Sequence, residues 1–228
     1  MTKPGIGLLN EKPLHASLKE WYAQPGDQFE VAIDRFVIDI VRGNLLLEIQ
    51  TGSLASLKAK LNTLVRSHRV RLIYPIALEK WIVKLPKEVG GRTTRRKSPR
   101  RGRVEDLFWE AVSFPQLLVD PNFSLEVLMI REEEIRKHEA NRNWRRRGWG
   151  TEERRLLEVV ERRLYEAPED WRSFVPEGLE TFTARDLADA TSVRIQLAQK
   201  MVYCLRKVNL IESVGKRGRA NLYRAAHG

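Results

Sequence analysis

The chain has 228 residues, 42% of them hydrophobic, enough to bury one sizeable core or two small ones, and two domains are expected. Lys and Arg number 41 against 30 Asp and Glu, a formal charge of +11, which favours a polyanionic partner because neutralising phosphates releases counterions. The single cysteine, Cys204, excludes a disulfide scaffold, and no apolar run nears the ~18 residues of a membrane span, so a cytoplasmic setting with no membrane partner is expected.

In chain order, Asn10 can cap a first helix with Pro13 in its opening turn and Leu14, Leu18, Trp21 and Tyr22 at helical spacing. Pro25-Gly26-Asp27 stops it. Phe29 to Ile40 alternates in two extended runs around a turn at Asp34-Arg35, and Gly43-Asn44 closes a tight hairpin into a strand over Leu45 to Ile49. Ser53 opens a helix with Leu54, Leu57, Leu61, Leu64 and Val65 on one stripe. Two strands, Val70 to Ile76 and Leu78 to Leu85, follow.

Residues 86–103 carry Gly, Thr, Ser, Pro and basic residues without apolar periodicity and read as a mobile basic loop. Within it Arg95, Arg96, Arg100 and Arg101 are candidates to clamp a nucleic-acid backbone. Val104 to Val112 reads as a short amphipathic helix and Ser124 to Ile135 as a strand, so the first part of the chain, residues 1–138, is expected to be mixed α/β. Residues 139–150, crowded with Trp144, Arg145, Arg146, Arg147 and Trp149, read as a basic linker.

Residues 151–228 form the second expected domain. Thr151 can cap a helix to about Tyr165 with Leu156, Leu157, Val160 and Leu164 inward; a second helix covers Ala184 to Ala190 and a third runs from Ser192 to Val208. A hairpin around Gly215-Lys216-Arg217-Gly218-Arg219 ends the series. Three helices and a hairpin resemble a winged-helix domain, whose last helix enters the DNA major groove. That resemblance makes Arg194, Gln196 and Lys200 candidates for groove contacts and Lys216, Arg217 and Arg219 for phosphate contacts.

The Gly43-Asn44 hairpin has a chemical consequence. A two-residue loop fixes the register and sets Asp39 across from Glu48, and alternation adds Gln50 to that face while Ile38, Ile40, Leu47 and Ile49 turn to the other. Opposed carboxylates repel unless a charge offsets them, and a hard divalent cation does so through oxygen ligands. The His residues have no spacing typical of a metal site.

This pattern resembles the PD-(D/E)xK nuclease superfamily, a restriction-endonuclease-like core with a mixed sheet flanked by helices. Asp39, Glu48 and Gln50 match its motif over roughly residues 5–135, and Glu11 matches the acid that many members place on the first helix. The resemblance implies Mg²⁺ or Mn²⁺ held by Asp39 and Glu48, phosphodiester hydrolysis, and catalytic roles for Glu11, Asp39, Glu48 and Gln50. Gln50 departs from the usual Lys and offers a neutral donor and acceptor; Lys58 or Lys60 on the next helix can substitute. The implied partner is double-stranded or branched DNA, and cutting both strands is compatible with a homodimer. The alternative is a DNA-binding regulator or architectural protein on a degenerate, non-catalytic core.

Overall fold

The computed structural model describes residues 12–88, 90–139 and 148–226. Helix α1, Pro13–Tyr22, begins with Pro where a missing N–H costs nothing, and it buries Leu14, Leu18 and Tyr22, one turn apart. Strands β1 (Gln28–Ile33), β2 (Phe36–Arg42) and β3 (Leu45–Ile49) form an antiparallel meander. Gly43 takes φ 57° at the first position of the β2–β3 turn, a backbone that an L side chain disfavours.

Ser53 caps a 3₁₀ turn, Leu54–Leu57, that runs into α2, Lys58–Leu64. This crossover returns the chain parallel to β3 as β4, Arg69–Lys84. The two strands expected over 70–85 are this one 16-residue strand, interrupted only by a bulge between Ala77 and Glu79. Leu78, the extra residue, marks the position that reads as a break in the alternation.

The basic stretch 86–103 is also more ordered than its composition suggests. Thr94–Lys97 forms β5, antiparallel to the end of β4, and Ser98 and Gly102 continue along β4 by donating N–H bonds to Lys80 O and Ala77 O. Cross-strand partners supply what apolar periodicity does not: Arg95 reaches Glu133 at 2.6 Å, Lys97 reaches Glu79 at 2.7 Å, and both cations lie over Trp81. Gly102 lies so close to β4 that a Cβ there would sit 2.4 Å from Ala77 O.

A 3₁₀ turn and short helix α3 (Phe108–Ala111) lead through a further 3₁₀ turn, Pro115–Val119, to β6, Phe123–His138, parallel to β4. The chain then folds back as β7, Trp149–Tyr165, antiparallel to β6. The helix expected over 151–165 is therefore an edge strand; of the expected linker 139–150, residues 140–147 lie outside the described residues, and Trp149 and Gly150 begin β7. Glu, Arg and Leu suit a helix locally, but here tertiary pairing overrides propensity. Arg162 meets Glu126 at 2.6 Å, Arg154 meets Glu132 at 2.6 Å and Glu158 meets Arg131 at 2.5 Å across the strands. Three register shifts leave Val160, Leu157 and Glu152 as extra residues on β7, which is why Leu157 and Val160 are exposed rather than inward.

The mixed sheet runs β1-β2-β3-β4-β6-β7, with β5 on β4. One face is covered by α1, where Leu14, Leu18 and Tyr22 pack on Ile40, Leu47, Ile73 and Leu128. The other face shares a larger core with α2, α3 and the C-terminal segment. That segment comprises α4 (Pro168–Arg172), α5 (Ala184–Thr191), α6 (Ile195–Lys207) and a hairpin of β8 (Ile211–Arg217) and β9 (Ala220–Ala225). Phe182 bridges to Tyr223 beside the hairpin, Thr183 caps α5 in a reciprocal box with Asp186, and Ser192 at φ 54° turns the chain into α6. Trp171 joins this segment to the sheet: it stacks on Tyr165 at 4.8 Å and meets Phe108 edge-on.

Trp171→Ala is expected to cost ~3–5 kcal/mol of stability through the cavity it leaves, whereas Leu157→Arg, on a bulge pointing outward, should stay within about 0.5 kcal/mol. Urea unfolding followed by fluorescence and circular dichroism measures both; a large loss for Leu157→Arg would contradict the strand.

Candidate active site and nucleic-acid surface

The β2–β3 pairing ends at Ile40↔Leu47, and Asp39 and Glu48 are the next residues along the two strands. Their strands do not alternate in the simple way expected. Ile38 joins the α2-side core with Leu46, whereas Ile40 and Leu47 join the core beneath α1, so β2 rotates at Asp39 and Ile38 does not share the side of Ile40. The backbone ladder gives out at the same point. Asp39 Oδ2 takes the place of a carbonyl and accepts the Ile49 N–H at 2.7 Å, and it also meets His15 Nε2 at 3.2 Å.

Glu48 turns toward α2, where the Lys60 ammonium lies against its Oε1. Lys60 also donates to Val37 O at 2.6 Å, which fixes the side chain across the mouth of the hairpin. Burial, then the charge of Asp39, raise the Glu48 carboxyl to about 7 in spite of Lys60 and the Asp39 N–H. For Asp39 burial also works toward a higher value, but the His15 bond and charge, the Ile49 N–H and Lys60 outweigh it and hold the acid below its usual range. Two adjacent carboxylates thus have their titrations pushed in opposite directions.

Gln50 follows Glu48 at the end of β3, but its amide is engaged elsewhere: Nε2 donates to Ser53 O at 2.9 Å and Ser56 Oγ at 3.0 Å. It organises the loop into α2 rather than touching either acid. Glu11 lies outside the described residues. Asp34 sits at the β1–β2 turn at φ 52°, with His68 Nε2 3.8 Å from its carboxylate. Among the described residues no three His, Cys, Asp or Glu side chains converge as a ready metal cluster.

His15 is the member that sequence spacing did not assign. A signal existed, since it shares the inward stripe of α1 with Leu14 and Leu18, but a lone His on such a stripe has no partner until the hairpin is placed beneath it.

The expected nucleic-acid residues separate into several places. Arg194 is the N-cap residue of α6 and faces the sheet with Arg100 and Arg101 around one cleft. Gln196 and Lys200 lie in a shallow groove with Tyr203 and Val112, where Lys200 Nζ stands 5.4 Å over the Trp109 ring. Lys216 and Arg219 are exposed on the terminal hairpin, while Arg217 bonds Asp186 at 2.9 Å. Arg95 is committed to Glu133, and Arg96 is exposed on β5.

The class defined by this geometry is a mixed-sheet α/β protein with a buried Glu48 and a half-buried Asp39 on a β-hairpin. A family model described as Domain of unknown function (DUF8091) matches residues 12–166, and the chain belongs to that family. The match closes one residue after β7. The chain is also similar to a Treponema pallidum (strain Nichols) protein described as uncharacterized, 28% identical over 228 residues, covering 96% of this chain and 87% of the relative. No solved structure matches it.

The raised Glu48 carboxyl gives a pH prediction for the metal-free protein. Below the ordinary value of 4.5 both folded and unfolded states hold the proton; between there and about 7 only the folded state does, so this group's contribution to stability falls as pH rises. Glu48→Gln removes that loss. Relative to the parent, its stability should improve by on the order of 1–3 kcal/mol from about pH 4.5 to pH 7 and then level off. Urea melts across that range in chelator measure it, and a pH-independent difference would refute the shift.

Proposed function

We propose that the chain is a metal-dependent DNA endonuclease of PD-(D/E)xK type, with the C-terminal helices and hairpin acting as a winged helix that supplies DNA affinity. The observation that carries the reading is a buried Glu48 beside a half-buried Asp39 on adjacent strands, with burial first and the charge of Asp39 second raising the Glu48 carboxyl to about 7. Carboxylate oxygens from two neighbouring strands are the ligand type that a hard divalent ion takes. Asp39 and Glu48 would hold Mg²⁺ or Mn²⁺, which when bound supplies a water of lowered pKa and positive charge beside the phosphate.

The chain's own residues divide the remaining work. His15 and the Ile49 N–H fix the Asp39 carboxylate in one orientation. Lys60, reaching in from α2, stands in for the strand lysine that Gln50 replaces, and its ammonium would orient the water and offset developing charge on the phosphate. Gln50 keeps the loop that brings α2 and Lys60 over the site. On the DNA-binding side, Gln196, Gln199 and Tyr203 form an exposed stripe on α6, and Lys216 and Arg219 stand free to meet phosphates.

One observation favours the alternative, a DNA-binding regulator on a core that no longer cuts. Lys60 already neutralises Glu48, so the acid pair has an internal counter-charge. Cleavage of supercoiled, linear and branched DNA with Mg²⁺ or Mn²⁺ separates the two. On the nuclease reading Asp39→Asn and Glu48→Gln lower cutting by about 100-fold or more, chelator abolishes it, and DNA affinity stays within about threefold. Binding without cutting on all three substrates would leave the regulator.

A further inference from the structure

Beside the acid pair lies a cleft of about 820 Å³, formed where the sheet, the 98–103 segment, α3 and the start of α6 meet. Its position relative to Glu48 is set by the sheet. Glu48 pairs with Leu72, and Gln50 donates its N–H to Ile73 O, so Tyr74, which lines the cleft, is the next β4 residue on the Glu48 face. Two further lining residues tie the cleft to the chain leaving β3. Arg154 donates to Thr51 O at 2.8 Å, and Glu110 accepts from Ser53 Oγ and Leu54 N, each at 2.9 Å.

Most of the charges lining the cleft are paired, among them Arg101 with Glu79 at 3.5 Å and Arg103 with Glu105 at 3.3 Å. Lys80 and Arg136 are bonded to Glu134 at 2.7 Å each, and Arg154 to Glu132, so the floor is rigid and nearly neutral; the Glu134 carboxyl is held at about 2 against the burial that would raise it. Arg100 and Arg194 differ. Arg100 is 78% exposed and stands 4.0 Å from Asp106, its nearest carboxylate, while Arg194 is exposed and has no ion pair among the described residues. They rise from two different walls, the 98–103 segment and the α6 N-terminus, whose dipole adds positive potential. Trp109 also lines the cleft and is 37% exposed, with Lys200 over its ring at 5.4 Å and indole surface left on which a base can stack.

Two exposed guanidinium groups and an aromatic ring lining one cleft suit a polymer that alternates phosphate with a flat ring. The volume excludes a duplex, whose phosphates lie on the outside of a wide cylinder and would touch only the rim, but it accepts a few unpaired nucleotides. We propose that this cleft binds single-stranded nucleic acid, with Arg100 and Arg194 on its phosphates and Trp109 against a base, and that the strand leaves the cleft toward Glu48. The inference rests on the DNA-processing reading above for its biological sense, and it names the unpaired strand as what that site receives. The terminal hairpin then serves the duplex and the cleft serves the strand that departs from it.

The test is fluorescence anisotropy of the full chain with a labelled oligothymidylate of about 12 nucleotides and with a duplex of equal length, in chelator and over a salt series. The doubly substituted Arg100→Ala/Arg194→Ala protein should bind the oligothymidylate about tenfold or more weakly and lose about 1.4 from the slope of log affinity against log salt, as removal of two single-strand phosphate contacts requires. Duplex affinity should stay within about twofold. Lys216→Ala/Arg219→Ala should show the reverse preference, and Trp109→Leu should weaken the oligothymidylate with no change in salt slope. The inference is overturned if the parent chain does not bind the oligothymidylate, if the cleft variant binds it as the parent does, or if both double variants lose both ligands equally. Inactivity of the parent in the cleavage assay, by contrast, removes the endonuclease and leaves the cleft's affinity standing.

Discussion

Strand β4 is bonded along both edges, and both candidate sites take their position from that one strand. Its first half pairs with β3 and so fixes Glu48; its second half pairs with β5 and the 98–103 segment and so forms the cleft. On the opposite edge β6 follows it in parallel along nearly its whole length. Parallel strands need long crossovers, and the two that flank β4 bring α2 with Lys60 and α3 with Trp109 and Glu110 to their places. The bulge at Leu78 is the only interruption in its pairing with β6, and it divides the half buried in the two cores from the half dominated by ion pairs.

What could be read from the amino acids was what local geometry decides. Gly43-Asn44 announces a two-residue turn, and from that turn the opposition of Asp39 and Glu48 follows by counting. The helix stripes of α1, α2 and α6 follow in the same way, because each buries residues three and four apart. Strand β7 was illegible for the same reason that the others were clear. Leu156, Leu157, Val160 and Leu164 are spaced as on a helix, and the bulges that place Leu157 and Val160 outside the pairing generate that spacing inside a strand. Its true partners, Glu126, Arg131 and Glu132, are more than twenty residues away, beyond the reach of any window of local pattern. Strand β5 was hidden likewise, since its stability comes from Trp81, Glu79 and Glu133 rather than from apolar residues of its own.

The acid pair shows the same division. Its two carboxylates were visible in the sequence, but the groups that tune them were not: His15 comes from the far side of the sheet and Lys60 from the next helix. The rotation of β2 at Asp39, which lets one carboxylate serve both His15 and the Ile49 N–H, has no signature in the alternation of FVIDIV. Gln50 occupies the expected strand position with its amide turned to Ser53 and Ser56, so a motif place and a functional contact are separate properties.

The three extra residues on β7 bear on how the molecule meets copies of itself. A straight 17-residue strand at the rim of a sheet would offer every second N–H and C=O to a neighbouring chain, the template from which cross-β polymers grow. With Glu152, Leu157 and Val160 each breaking the spacing, and Glu and Arg crowding the remainder, no long uninterrupted row of donors and acceptors is presented. The same irregularity that disguises the strand in the sequence gives its outer margin the broken spacing that disfavours pairing with another chain.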